Sequence, residues 1–306
     1  MKVTLIVNPV ASSVTKRSRQ VIQKALSADH DLDVQETKAR QDGTGLAAQA
    51  AKDGADAVIS LGGDGTLNEV ANGVLETDCA LGVLPGGSTN VFARSIGYPN
   101  EAVEATAMLL DSLSENKPEK ASVGKANGRA FLFHVGAGFD AAVVAKVEEK
   151  GKLKRYIGHP LFVASTITTW LGEVDRKRPW FDITTDDDIV IENAQFAVAL
   201  NCNPYTYMGK RPLDLAPEAT LTLDLSLIIL TKLSFRKIVP VVVKALRSKD
   251  GISNSDATKH LTNVKEVTLA GHRPFPYQLD GEFFDPVSSL ELESVRDALK
   301  IYFPTK

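Results

Sequence analysis

Ala57-Val58-Ile59-Ser60-Leu61-Gly62-Gly63-Asp64-Gly65-Thr66-Leu67-Asn68-Glu69-Val70 is the stretch whose reading decides the fold. The run Ala57-Val58-Ile59-Ser60 reads as a buried strand, and three glycines around one Asp read as a tight turn opening a helix at Thr66. Such a turn suits phosphate. Glycine lets the backbone approach an anion closely, and the N–H groups and dipole of a helix start favour negative charge. Asp64 adds a condition, because a carboxylate beside phosphate is repelled unless a cation lies between them. Gly63-Asp64-Gly65-Thr66 therefore points to Mg-nucleotide chemistry more than to simple anion capture. Gly and Asp are also ordinary turn formers, so a purely structural strand-to-helix turn is the alternative that the rest of the chain must decide.

Upstream, Val3 to Val7 reads as a strand, followed by the loop Asn8-Pro9-Val10-Ala11-Ser12-Ser13 and a helix from Thr15 to Ser27. A strand at Leu32 to Thr37 and a helix at Gly45 to Lys52 complete the alternation expected of a parallel sheet. The glycine turn then lies at a strand's carboxyl end, where open α/β sheets bind ligands. Downstream, a helix over Thr66 to Leu75 leads to the strand Ala80 to Leu84 and a second glycine-rich loop, Pro85-Gly86-Gly87-Ser88-Thr89-Asn90. If the two strands are neighbours, both loops open on one sheet edge, and Ser88, Thr89 and Asn90 offer neutral hydrogen bonds to phosphate or ribose. Helices over Asn90 to Ile96 and Glu101 to Leu113 precede the polar break Ser114 to Glu119, which divides the chain into domains 1–119 and 120–306.

Beyond the break the pattern becomes antiparallel β. Ala121 to Lys125 and Arg129 to Val135 flank Asn127-Gly128, the strongest short hairpin signal. Further strands are expected at Trp180 to Thr184, Phe196 to Cys202, Leu221 to Leu230 and Val264 to Ala270, with a final hairpin from Leu290 to Val295 and Leu299 to Phe303. Helical insertions are expected from about Asp140 through Glu173 and from Phe235 to Lys249.

The 306 residues, 43% hydrophobic, suffice for a sizeable core in roughly two domains. A net charge of −3 and a pI near 6.0 leave no basic footprint for nucleic acid. Cys79 and Cys202 are too few for a disulfide framework and lack metal-ligand spacing, which fits small buried residues of a reduced, intracellular protein. The apolar start Val3 to Val7 is too short for a secretory signal, and no run reaches the roughly 20 residues of a membrane helix. A cytoplasmic location follows, with any membrane contact peripheral at the inner face. His30, His134, His159, His260 and His272 are scattered without ligand spacing, so no zinc site is expected.

Five motifs in order resemble the diacylglycerol kinase catalytic-domain family, which includes bacterial soluble lipid kinases and sphingosine kinases. They are Val7-Asn8-Pro9, Gly62 to Val70, Pro85 to Asn90 with Phe92-Ala93-Arg94, Gly136-Ala137-Gly138-Phe139-Asp140-Ala141, and Leu279-Asp280-Gly281-Glu282. The resemblance spans almost the whole chain. It implies a Rossmann-like N-terminal α/β domain of the phosphofructokinase and NAD kinase type, a C-terminal antiparallel β-sandwich for the lipid substrate, and an active site in a cleft between them. It further implies ATP contacts from Asn8, Pro9, Ser12, Thr37, Gly62, Gly63, Gly65, Thr66, Asn68, Ser88, Thr89 and Asn90, with Asp64 holding Mg²⁺. The implied activity is transfer of the γ-phosphoryl group to a hydroxyl of diacylglycerol or a related lipid alcohol.

The attacking hydroxyl must lose a proton, so a carboxylate within hydrogen-bond reach is required. Asp280 and Glu282 are the candidates, because residues two apart in an extended strand face the same way. The family pattern favours Glu282 as base, with Asp280 orienting it or binding metal; a polar β-turn is the structural alternative for this element. Asp140 resembles the family's substrate-side acid, with a helix N-cap as its alternative. Two departures stand out. Val91 follows Asn90 where many family members have Asp, and Ala216-Pro217-Glu218-Ala219 lacks the Asp-Gly pair of a structural Mg²⁺ site. Lys146, Lys150, Lys152, Lys154 and Arg155 form a basic cluster, either a solvated helix face or a dock for anionic lipid headgroups. A sheet edge in the second domain is compatible with a homodimer. The competing activities are an NAD kinase, which resembles the same glycine turn, and a nucleotide- or lipid-binding homologue with weak catalysis.

Overall fold

The computed structural model describes residues 1–149, 178–232 and 258–305. They divide into two compact units, one of Met1–Ser122 with Asp297–Lys306 and the other of Val123–Arg296.

The first unit alternates β1 (Lys2–Val7), α1 (Lys16–Asp29), β2 (Asp31–Glu36), α2 (Asp42–Lys52), β3 (Ala57–Gly62), α3 (Asp64–Val74) and β4 (Ala80–Pro85), then adds α4 (Val91–Ser95) and α5 (Ala102–Glu115). The strands pair in parallel in the order β2-β1-β3-β4. Burial follows that order. β3 and β4 are buried at every position, as apolar runs covered on both faces must be, whereas the edge strand β2 is only partly covered. The register sets Gly62 opposite Pro85, so the two glycine loops leave adjacent strands side by side, as the sequence pattern anticipated. α3 begins at Asp64, two positions ahead of the expected Thr66, because the extended Gly63 (φ −83°, ψ −179°) serves as its N-cap.

The second unit contains β5 (Glu119–Ala126), whose first residues lie in unit one, then β6 (Arg129–Phe131), β7 (His134–Gly138), α6 (Phe139–Glu149), β8 (Phe181–Thr185), β9 (Val190–Ala194) and β10 (Phe196–Leu200). It continues through β11 (Thr206–Met208), β12 (Arg211–Leu213), β13 (Leu225–Leu230), β14 (Thr258–Val264), β15 (Glu266–Leu279) and β16 (Glu282–Ile301). The described neighbours pair antiparallel, in the order β14-β13-β10-β7-β15-β16. A register shift between Ala270 and Phe275 lets β15 pair with β8 through Val267–Gly271 and with β7 through Tyr277–Leu279. One core therefore collects Val135, Ala199 and Leu227 from the β7–β10–β13 layer together with Ile183, Leu269 and Leu292 from the β8–β15–β16 layer. Asn127 (φ 46°) and Gly128 (φ 83°) form the expected hairpin turn, closed by the pair Ala126 and Arg129.

The end of the chain departs from the sequence expectation. Instead of a hairpin over Leu290 to Phe303, β16 runs as one strand to Ile301, where it pairs in parallel with Leu81 of the first unit. Asp297 (φ 57°) is left-handed within this strand, but the chain does not reverse there, because the residues beyond it run on to the parallel pairing of Ile301 with Leu81. Tyr98 then donates its hydroxyl to the Tyr302 carbonyl (2.9 Å), tying the chain end to the first unit. Of the expected helical insertions, only α6 lies within the described residues; 235–249 lie outside them, as do Lys150, Lys152, Lys154, Arg155 and the side chain of Lys146. Among the described residues no helix is long and apolar enough to cross a membrane.

Candidate functional site

In the first unit the predicted nucleotide residues converge on the carboxyl ends of β1, β3 and β4. Asn8, after β1, donates from Nδ2 to Thr66 Oγ1 (2.9 Å) and accepts the Val10 N–H on Oδ1 (3.1 Å), joining the first loop to the start of α3. Pro9 and Ser12 are exposed on that loop. Thr37, after β2, donates its N–H to the Val7 carbonyl (3.0 Å). The two glycine loops touch through backbone. Gly86 N–H donates to the Gly62 carbonyl (2.6 Å), and a Cβ on Gly87 would sit 2.8 Å from the Gly63 Cα, an approach that only glycine allows.

Asp64 is the link between the loops. Its carboxylate accepts the N–H groups of Val91 (3.0 Å) and Phe92 (3.2 Å), which fixes the start of α4 against the start of α3. At Val91 the contact thus comes from the backbone, and the apolar side chain is buried. Asn90, in the left-handed region (φ 50°), is turned inward. It accepts the Gly87 N–H and donates to the Gly87 carbonyl and to Asn100 Oδ1, so it shapes the loop. Asn68 is likewise buried within α3, whereas Ser88 is exposed and Thr89 half-exposed.

The residues fit a Mg-nucleotide. No side chain caps the N-terminus of the eleven-residue α3, so its first N–H groups remain for an anion, and open space lies over Gly65 where a Cβ would point. Each Asp64 oxygen accepts a backbone N–H, and the fixed carboxylate places negative charge beside the helix start, where a cation would bridge it to phosphate. Among the described residues no cluster of three or more His, Cys, Asp or Glu could hold a metal. That donor set suits Mg²⁺, which commonly binds through one carboxylate plus the phosphates of its nucleotide.

Sequence reasoning gave two residues here no role. Ser13 donates its hydroxyl to the Gly87 carbonyl and its N–H to the Gly86 carbonyl (2.9 Å), bracing the second loop from the first. The buried Glu69 accepts the N–H groups of Gln41 (2.8 Å) and Gly43 (3.0 Å), pinning the start of α2. Glu69 stood inside the motif, but nothing local signalled partners so far upstream.

In the second unit the acid pair takes a different geometry from the expected one. Asp280 (φ 49°) and Gly281 (φ 80°) are the two turn residues of a tight hairpin closed by Leu279 and Glu282. The premise that Asp280 and Glu282 lie two apart on one extended strand therefore fails, and the polar-turn alternative describes Asp280. Its carboxylate is buried and accepts three N–H groups, from Leu132 (2.7 Å), Phe133 (3.0 Å) and His134 (3.1 Å). Asp280 is thus an anchor for the hairpin, and Glu282, half-exposed at the start of β16, is the more accessible carboxylate.

Asp140 lies in the first turn of α6, but its carboxylate turns inward instead of capping. It accepts the Tyr205 hydroxyl on Oδ1 (2.6 Å) and Gln278 Nε2 on Oδ2 (2.9 Å). Burial pushes its pKa up to about 6, opposed by these two hydrogen bonds. Burial also raises Tyr205, with the neighbouring carboxylate adding to it, and lowers His134, which lies against the Tyr205 ring, to about 3. His134 is therefore neutral at physiological pH.

The diacylglycerol kinase catalytic domain model matches residues 2–126. "Putative lipid kinase SH2167" of Staphylococcus haemolyticus is 30% identical over 232 residues, 74% of this chain and 70% of the relative. The chain belongs to the diacylglycerol kinase catalytic-domain family. "Diacylglycerol kinase" of Bacillus subtilis (strain 168) is 28% identical over 285 residues, 91% of this chain and 89% of the relative. A solved structure, "A putative diacylglycerol kinase from Bacillus anthracis str. Sterne", covers 99% of this chain and 97% of its own at a TM-score of 0.78; at 24% identity it speaks for the two-part fold alone.

Proposed function

We propose that this protein is an ATP- and Mg-dependent lipid kinase that transfers the γ-phosphoryl group to a hydroxyl of diacylglycerol or a related lipid alcohol. The observation that carries this reading is Asp64, one carboxylate fixed between two backbone-lined glycine loops at an open helix start. Phosphoryl transfer needs positioned phosphates and charge neutralisation more than covalent chemistry from the protein, and this arrangement suits that task. The names carried by the family relatives supply the acceptor class.

The first N–H groups of α3, with Asn8, Pro9, Ser12, Thr37, Ser88 and Thr89, would bind and orient ATP. Thr66 and Asn90 would hold the loops that surround it. Bound Mg²⁺, held by Asp64 and the phosphates, supplies the charge neutralisation. Glu282 would accept the proton of the attacking hydroxyl, and Asp280 and Gly281 fix the backbone from which it projects.

The test is incubation of purified protein with γ-labelled ATP, Mg²⁺, a panel of lipid alcohols and NAD. Label in a chloroform-soluble product supports the lipid kinase. Label in NADP identifies the NAD kinase alternative, and ATP binding without transfer to any acceptor identifies the catalytically weak homologue.

A further inference from the structure

We propose that Gln278 is a positioning residue that locks the Asp280–Gly281 turn, and with it Glu282, to the buried carboxylate of Asp140. The inference rests on the reading of Glu282 as base. Gln278 is wholly buried in β15 and uses both ends of its amide: Oε1 accepts the Gly281 N–H (2.8 Å), and Nε2 donates to Asp140 Oδ2 (2.9 Å). In a two-residue hairpin closed by Leu279 and Glu282, the strand ladder does not take the N–H of the second turn residue. Gln278 supplies the missing acceptor, and Asp140 fixes which way the amide points.

Space for this link is provided from the neighbouring strand. Gly136 of β7 pairs directly with Gln278, and a Cβ on Gly136 would lie 1.7 Å from Asp140 Oδ2 and 2.7 Å from Gln278 Nε2. Tyr205 orients the other Asp140 oxygen, and His134, whose ring lies against Tyr205, donates its backbone N–H to Asp280. The turn is thereby held twice, through the Asp280 carboxylate to residues 132–134 and through Gln278 to Asp140. Gln278 uses both ends of its amide and Asp140 both of its oxygens, which fixes one geometry for the link, and a catalytic base displaced by about 1 Å can lose about 100-fold in rate.

The experiment compares wild type, Gln278→Leu and Gln278→Glu by steady-state kinetics with γ-labelled ATP and the best lipid acceptor, together with hydrogen exchange at the Gly281 amide. Leucine fills the space but makes neither bond. Glutamate keeps an acceptor for Gly281 and shares one proton with Asp140, since two adjacent buried carboxyls do not both ionise. The expected result is a fall in kcat of about 100-fold for Gln278→Leu with KM for ATP within about twofold, faster exchange at Gly281, and a loss of no more than about tenfold for Gln278→Glu. Wild-type kcat in Gln278→Leu, or a parallel loss of ATP affinity, overturns the proposal. If Gln278→Leu does not fold, Gln278→Glu decides: protected Gly281 with retained turnover supports the link, and wild-type turnover with an unprotected Gly281 overturns it. A wild-type protein that phosphorylates no lipid sinks the kinase reading, and Gly281 exchange in Gln278→Leu then still supports or overturns the anchor itself.

Discussion

Removing the Asp280 carboxylate should unfasten the hairpin that carries Glu282, and the size of the effect can be worked from its three hydrogen bonds. Oδ2 accepts the Leu132 N–H, while Oδ1 accepts those of both Phe133 and His134, and all three residues are buried. A buried donor left without a partner costs about 1–3 kcal/mol. Asp280→Ala strands three donors and puts alanine at φ 49°, which adds about 1–2 kcal/mol of left-handed strain. Allowing for partial relaxation and water entry, the loss should be about 3–5 kcal/mol. Asp280→Asn tolerates the backbone conformation and can keep its oxygen at the Oδ1 position, retaining two bonds and losing only that to Leu132. Its cost should be about 1–3 kcal/mol. Urea unfolding of the two variants, with hydrogen exchange at residues 132–134, measures both quantities. Variants within about 0.5 kcal/mol of wild type, or asparagine more damaging than alanine, would refute the anchor.

Other outcomes follow from the same geometry. Glu282→Gln should lower kcat by about 10²–10⁴-fold while KM for ATP changes little, as steady-state kinetics will register. Gly136→Ala should destabilise by about 1–3 kcal/mol, because its Cβ would overlap Asp140 Oδ2 at 1.7 Å; the shift in urea midpoint reads this directly. Burial raises the folded-state pKa of Asp140 to about 6 from its ordinary 3.8, so the folded chain binds this proton more tightly than the unfolded one. That contribution is present in full below about pH 4 and is lost as pH rises through about 6, a change of about 3 kcal/mol. The stability difference between wild type and Asp140→Asn should therefore move against wild type over that interval, and urea unfolding at pH 4 to 7 checks it.

The first unit was largely legible because its signals are local. Strand runs ending in glycine loops fix the parallel order, and the register that brings Gly62 beside Pro85 follows from it. The Asn127-Gly128 hairpin was legible for the same reason. At Asp280-Gly281 the same type of turn signal was present, but the spacing of two acids was read as strand, and the backbone decided otherwise. Partners of single side chains were beyond reach. Asp64 meets Val91 across 27 positions, and Asp140 meets Tyr205 across 65 and Gln278 across 138, contacts that only the folded sheet creates. Gln278 did leave one trace, a polar residue within the otherwise apolar run Pro274 to Leu279 at the end of β15. The continuation of β16 to Ile301 left none, since its parallel partner Leu81 lies at the other end of the chain.

The central claim is that Asp64 and its two glycine loops serve phosphoryl transfer to a lipid. It is tested most directly by following label from γ-labelled ATP and Mg²⁺ into a lipid panel, with NAD present, for wild type beside Asp64→Asn. The account predicts a labelled chloroform-soluble product from wild type and almost none from Asp64→Asn, with the variant still folded by its melting curve. Equal lipid labelling by the two proteins, or label in NADP instead of lipid, would contradict it.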